Sequence, residues 1–258
     1  MEFYPGFDIQ TEEPMGFRYG EGVFGPEPEI RSLDSIRKSL RDPACEGPEA
    51  VYSIAMDTGL LEDREDLKHR GLLFGVVTYA GGRLGQEPVR SQGHIHKLSP
   101  RCGWSTPEVY EIWEGKAVIL MQETAKDDPG RCFAVHAQAG EVVIVPPGWA
   151  HATISADPQK PLTFGAWCDR DYGFEYDDVR VHKGLAFFPL LDETGKLYFE
   201  HNGNYRKCTL TEKKPQRYTA LGLEQDMPIY TEYRQNREAF RFVYAPDRFR
   251  EVWTDFIP

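Results

Sequence analysis

Gly93-His94-Ile95-His96, then Glu108, then Gly140-Glu141-Val142-Val143-Ile144-Val145-Pro146-Pro147-Gly148-Trp149-Ala150-His151 decide how this chain is read. Side chains on a strand repeat every two residues, so a His-x-His pair on extended backbone projects both imidazoles from one face, where they can hold a single ion. Val142 to Val145 reads as a short strand, the Pro-Pro-Gly turn reverses the backbone, and His151 follows just beyond. Glu108 opens a further extended run, Glu108-Val109-Tyr110-Glu111-Ile112-Trp113, which ends at Gly115. On it Glu108, Tyr110 and Ile112 share one face and Val109, Glu111 and Trp113 the other, so at most one carboxylate points with Tyr110 toward a metal. Three imidazoles and one carboxylate leave one or two positions open on a divalent first-row ion. An open position separates a catalytic or ligand-binding site from a closed structural one.

The rest of the chain sets bounds on that reading. At 258 residues it can form one large domain, which on folding buries about three quarters of the extended-chain surface. Aromatics at 13% and 24 glycines suit a β-rich fold with many turns. A mean hydropathy of -0.53 and no apolar run near the ~18 residues of a membrane helix speak against a span. The start, Met1-Glu2-Phe3-Tyr4-Pro5, has neither a basic region nor an apolar stretch, so a cytoplasmic protein is expected. Cys45, Cys102, Cys132, Cys168 and Cys208 are odd in number, scattered and never in a C-x-x-C pair, which speaks for reduced thiols. A net charge of -11 without a compensating basic stripe argues against nucleic acid as a partner.

The first thirty residues are rich in Pro and Gly and read as an extended arm that pairs on a sheet edge or on a second subunit. Leu33, Ile36 and Leu40 recur at helical spacing behind Ser32, so a short capped helix is expected before Pro43. Strands are expected at Ala50 to Met56 and Leu72 to Tyr79, and then at Val89 to His96, Val109 to Trp113 and Ala117 to Gln122. Phe133 to His136, Val142 to Val145, His151 to Ile154 and Leu162 to Cys168 complete the series, a pattern that fits a sandwich or barrel. Phe187 to Leu191 and Leu197 to Phe199 form a hairpin candidate. Beyond about residue 205 the chain turns polar, with a helix expected in Asp247 to Phe256. His136 reads as a half-buried strand residue, and His69, His182 and His201 as surface residues.

The set His-x-His, Glu-x6-Gly and Gly-x5-Pro-x-Gly-x2-His is similar to the paired motifs of the cupin superfamily, and the spacing to Gly115 selects Glu108 over Glu111 and Glu114. More narrowly, Ser91-Gln92-Gly93-His94-Ile95-His96, Pro107-Glu108-Val109-Tyr110 and the Val145 to His151 turn resemble the cupin-type glucose-6-phosphate isomerases. Asp171-Tyr172-Gly173 and Lys183-Gly184 extend the likeness, which spans roughly residues 50 to 190. The chain departs from that pattern in three places: Lys97 to Pro107 inserts residues that would lengthen a loop at the mouth of the site, Ser91 stands for a Thr, and Arg170 stands where the family has a His.

The resemblance implies an all-β fold, a double-stranded β-helix or jelly-roll barrel with a short N-terminal helix and a C-terminal extension. The expected divisions are 1–49 for the arm and helix, 50–200 for the barrel and 201–258 for an extension packed on it. It implies one divalent metal per subunit, Fe²⁺ or Mn²⁺ ahead of Zn²⁺ or Ni²⁺, on His94, His96, Glu108 and His151. Glu108 and Tyr110 are the catalytic candidates, and Tyr52, Thr78, Ser91, Gly93, Arg170 and Tyr172 the substrate contacts, with Arg170 the expected cation for a phosphate. The implied activity is metal-dependent interconversion of glucose 6-phosphate and fructose 6-phosphate, a step of glycolysis and gluconeogenesis, in a cytoplasmic homodimer whose partner is a small sugar phosphate and neither nucleic acid nor membrane. Proton transfer by Glu108 and a hydride shift stay open as mechanisms. Isomerisation of mannose 6-phosphate or lyxose, an Fe²⁺ dioxygenase and a non-catalytic sugar-binding cupin remain the alternatives.

Overall fold

The computed structural model describes residues 3–224 and 226–258. Two sheets face each other. One is six-stranded and antiparallel throughout, in the order Val142–Val145, Glu108–Glu114, Leu162–Asp169, Leu72–Tyr79, Ala50–Met56, Glu29–Ser32. The other is four-stranded, in the order Ala150–Ser155, Lys116–Gln122, Cys132–Gln138, Leu210–Lys213, its last strand running parallel to its neighbour. Strands from both flanks of the chain thus complete the two sheets. The arm expected to seek a sheet edge does so at Glu29–Ser32, which pairs with Ala50–Met56.

Three apolar layers explain why so many strands read as unbroken hydrophobic runs. Between the sheets, Tyr52, Val77, Tyr110 and Phe164 of the larger one meet Ile119, Met121 and Val135 of the smaller. The outer face of the larger sheet (Phe74, Val109, Trp113, Trp167) is covered by Phe7 of the arm and by Tyr230, Tyr233, Phe240 and Phe242. The outer face of the smaller sheet carries Val118, Leu120, Ala134 and Ile154, covered by Leu185, Phe187 and Tyr205. Each sheet is therefore buried on both sides, which favours continuous Val, Ile and Leu over a polar alternation.

The reading of residues beyond 205 as a polar segment changes most. Ile229–Gln235 and Arg241–Tyr244 are helices; Tyr230 of the first stacks on Trp167 at 5.4 Å with Tyr233 beside it, and Phe240, just ahead of the second, packs on the same ring. Each such side chain stabilises the fold by about 1.5–3 kcal/mol on burial. The expected helix near the C-terminus is a 3-10 turn at Pro246–Phe249 followed by Arg250–Thr254. At the other end the expected helix is one turn, Leu33–Ile36, with Ser32 accepting from the Ser35 N–H at 3.4 Å, continued by a 3-10 turn at Arg37–Ser39. The hairpin of Phe187–Leu191 and Leu197–His201 forms as expected. Among the described residues no helix is long and apolar enough to cross a membrane.

Candidate metal centre

Register carries the site into being. Glu108 is the Cα partner of Val145, the last strand residue before the Pro-Pro-Gly turn, so the turn delivers His151 into the adjoining strand of the other sheet. There His151 is bridged to His94 by two backbone bonds, His94 N–H to His151 O at 3.0 Å and His151 N–H to His94 O at 2.9 Å. Val89 to His96, expected as one strand, is broken. Arg90 pairs with Ile154 upstream and His94 with His151 downstream, and the stretch from Arg90 to His94 is one residue longer than the stretch it faces. The extra residue makes a bulge at Gly93, whose φ of 86° suits glycine. Only Ile95–His96 is a regular strand, pairing with Phe174–Glu175.

His94, His96, Glu108 and His151 converge as expected, each offering a ligand atom within 4.8 Å of the others. His96 Nδ1 lies 2.8 Å from Thr106 O, and His151 Nδ1 3.1 Å from Trp149 O. A carbonyl only accepts, so each Nδ1 carries the proton and donates, and each Nε2 turns a lone pair inward. Glu108 Oε2 sits 3.2 Å from His96 Nε2 and 3.3 Å from His151 Nε2, and Tyr110 Oη donates to the same oxygen at 2.7 Å. His94 Nε2 is buried with no hydrogen-bond partner. Burial, then the nearness of His151 and His96, holds His94 well below the usual imidazole range, so it is a neutral donor. Burial alone would raise Glu108; His151 and His96 draw it well below the usual carboxylate range when their Nε2 atoms carry a proton, and a cation takes over that role when they present lone pairs. The lone pairs of His96 and His151, the unpartnered Nε2 of His94 and a carboxylate are a donor set that a divalent cation completes.

The Lys97 to Pro107 insertion supports this set. Its hairpin closes through Ser99 and Trp104 (2.8 Å), its Thr106 carbonyl orients His96, and its Ser105 hydroxyl accepts from Gly148 N–H at 2.9 Å, tying down the Pro-Pro-Gly turn. Cys168 Sγ, 3.8 Å from Glu108 Oε1, lies against the carboxylate's other oxygen.

A cavity opens from the cluster, and Tyr52, Ser91, His94, Glu108 and Tyr110 line it. Other expected contacts lie elsewhere. Thr78 alternates with the lining residues Val77 and Tyr79, points away, and shares a hydrogen bond with Thr163 at 3.0 Å. Arg170 is spent on Asp57 (2.6 Å) and on the Leu72 carbonyl, a partnership with a residue remote in sequence that spacing could not reveal. Tyr172 is 42% exposed beside Phe174, outside the lining, and Gly93 contributes the bulge rather than a wall. Among the lining residues that were not anticipated, Arg31, Gln92, Phe174 and Tyr176 bear most on the chemistry. Phe174 and Tyr176 follow Tyr172 of the Asp171-Tyr172-Gly173 motif by two and four residues, a strand-like spacing that was the available signal, and the Phe174 ring covers His94 at 4.4 Å. His136 is half-buried and paired with Glu212 at 2.9 Å, whereas His182, expected at the surface, is buried against Tyr205.

Facing sheets around an inward cluster of three histidines and a glutamate define a cupin. The family model for glucose-6-phosphate isomerase matches residues 36–206. A glucose-6-phosphate isomerase of Thermococcus litoralis is 30% identical over 207 residues, 77% of this chain and 100% of that protein. A putative glucose-6-phosphate isomerase 1 of Rhizobium meliloti (strain 1021) is 28% identical over 180 residues, 67% of this chain and 79% of that one. Among solved structures, an oxalate oxidase with glycolate overlaps 48% of this chain and 54% of its own, at 15% identity and a TM-score of 0.35. The chain belongs to the glucose-6-phosphate isomerase family.

Proposed function

We propose that this chain is a metal-dependent aldose–ketose isomerase interconverting glucose 6-phosphate and fructose 6-phosphate. The observation that carries the reading is the buried three-histidine, one-glutamate cluster opening into a polar-edged cavity, in a chain related along most of its length to proteins named for this reaction. Nitrogen and carboxylate donors suit Fe²⁺ or Mn²⁺, which we take as the resident metal on His94, His96, Glu108 and His151. When bound, such an ion supplies Lewis acidity to the sugar's carbonyl and adjoining hydroxyl.

The chain's own residues supply position and proton handling. Tyr110 is held well above the usual phenol range by burial and by the neighbouring Glu108 charge, so its hydroxyl is a donor rather than a base. It fixes Glu108 Oε2, and we assign the movement of a proton between C2 and C1 to the Glu108 carboxylate. Phe174, over the His94 ring, excludes water from the reacting carbons. The test couples metal analysis to an isomerisation assay. About one divalent ion per chain and turnover of glucose 6-phosphate are expected. A metal-loaded chain that takes up oxygen in the absence of sugar phosphate, and leaves glucose 6-phosphate untouched, would overturn the reading.

A further inference from the structure

We propose that Arg31 is the anion anchor of this cavity, holding the phosphate of a sugar phosphate at the end remote from the histidine cluster. The inference rests on the isomerase reading for its substrate and on the geometry for its residue. Arg31 lies before the 36–206 stretch that matches the family model, on the edge strand Glu29–Ser32, where its Cα partner is Tyr52. Among the described residues lining the cavity it is the one cation, and Tyr52, its cross-strand partner, and Tyr176 line the same cavity. A guanidinium that shares a cavity with phenol hydroxyls matches a tetrahedral dianion.

The other charges around it sharpen the assignment. The chain carries a net charge of -11, so an anionic substrate enters against the overall field unless a cation receives it, and a divalent ion on the cluster would engage the reacting oxygens rather than the phosphate. Arg170 is committed to Asp57. Arg180 sits behind the wall, with its Nε donating to Gln92 Oε1 at 3.1 Å and its guanidinium over the Tyr176 ring at 4.9 Å. Glu29 takes one Arg31 nitrogen, Nη1, at 2.5 Å, and its side chain is largely exposed. The guanidinium has five N–H donors, so Glu29 orients it and leaves the others for a ligand.

The test compares the metal-loaded wild type with Arg31→Gln and Arg31→Lys, using glucose 6-phosphate as substrate and inorganic phosphate as probe. Losing a charged hydrogen-bond partner costs about one to two orders of magnitude in affinity. Arg31→Gln should therefore raise KM about 10- to 100-fold and weaken competitive inhibition by phosphate in parallel, with bound metal unchanged and Arg31→Lys intermediate. Wild-type KM and wild-type phosphate inhibition in Arg31→Gln would overturn the anchor. A wild type that fails to turn over glucose 6-phosphate would remove the isomerase reading alone. Calorimetric titration with inorganic phosphate then judges the anchor: binding by the wild type that Arg31→Gln loses supports it, and equal binding by both overturns it.

Discussion

Glu108 stands between two demands, since one of its oxygens faces His96 and His151 while Tyr110 holds the same atom from the other side. Replacing it separates them. Glu108→Gln keeps an amide oxygen able to coordinate and should retain much of the metal, yet lower kcat by on the order of 10² to 10⁴, the range for a lost general acid–base group. His94→Ala and His151→Ala each remove one of four ligands and should strip most of the metal, read by elemental analysis. Full metal in both histidine variants would refute the site. At this scale the cluster was legible: a period of two pairs His94 with His96, and the likeness to the cupin motifs, through the spacing to Gly115 and the Pro-Pro-Gly turn, adds Glu108 and His151. Arg170 and Arg31 were not. What distinguishes them is a partner far along the chain, Asp57 for one and Tyr52 for the other, and neither pairing leaves a local mark.

Among the elements, the informative departure is the bulge before His94. A regular strand from Val89 to His96 would keep alternation in step, whereas the inserted residue at Gly93 resets the register so that His94 bridges to His151. A Cβ at Gly93 would meet Val179 Cγ1 no closer than 3.4 Å, so space is adequate and the cost of Gly93→Ala falls on the backbone. At a φ of 86° that cost is about 1–3 kcal/mol. For a chain of this size we expect melting to fall by roughly 2–4 °C per kcal/mol, with weaker metal retention as His94 moves. An unchanged melting temperature and unchanged metal content would show that the bulge is not what sets His94. The helices Ile229–Gln235 and Arg241–Tyr244 escaped the sequence reading for a different reason. Tyr230 and Tyr233, three apart, mark one buried face, but seven residues that also include Glu232 and Arg234 average to a polar composition. Burial there is dictated by the sheet beneath, which only the assembled fold supplies.

For the whole molecule, the layer between the larger sheet and those helices holds a carboxylate that contributes nothing to the cavity. Glu111 is fully buried on the face opposite Glu108, where Ile229 N–H donates to Oε1 and Trp113 Nε1–H to Oε2, each at 2.8 Å. Burial outweighs those two donors, with Glu232 nearby adding to it, and pushes Glu111 up to about 8. The sign follows from linkage. In the unfolded chain the group ionises near its ordinary value of 4.5, so between there and about 8 the unfolded state has released a proton that the folded state keeps. The contribution is complete below the unfolded value, shrinks as pH rises at up to about 1.4 kcal/mol per unit, and levels off above the folded value. Urea unfolding of the wild type and Glu111→Gln at pH 5.5, 7 and 8.5 tests this, because metal binding and histidine titration are common to both chains and cancel in the difference. The wild type should lose a few kcal/mol relative to the variant from the lowest pH to the highest. Turnover at a fixed pH should be little changed in the variant, since the replaced group faces away from the cavity. Two stability curves that run parallel across the range would mean that Glu111 is ionised throughout, and that the two N–H donors, not burial, decide its charge.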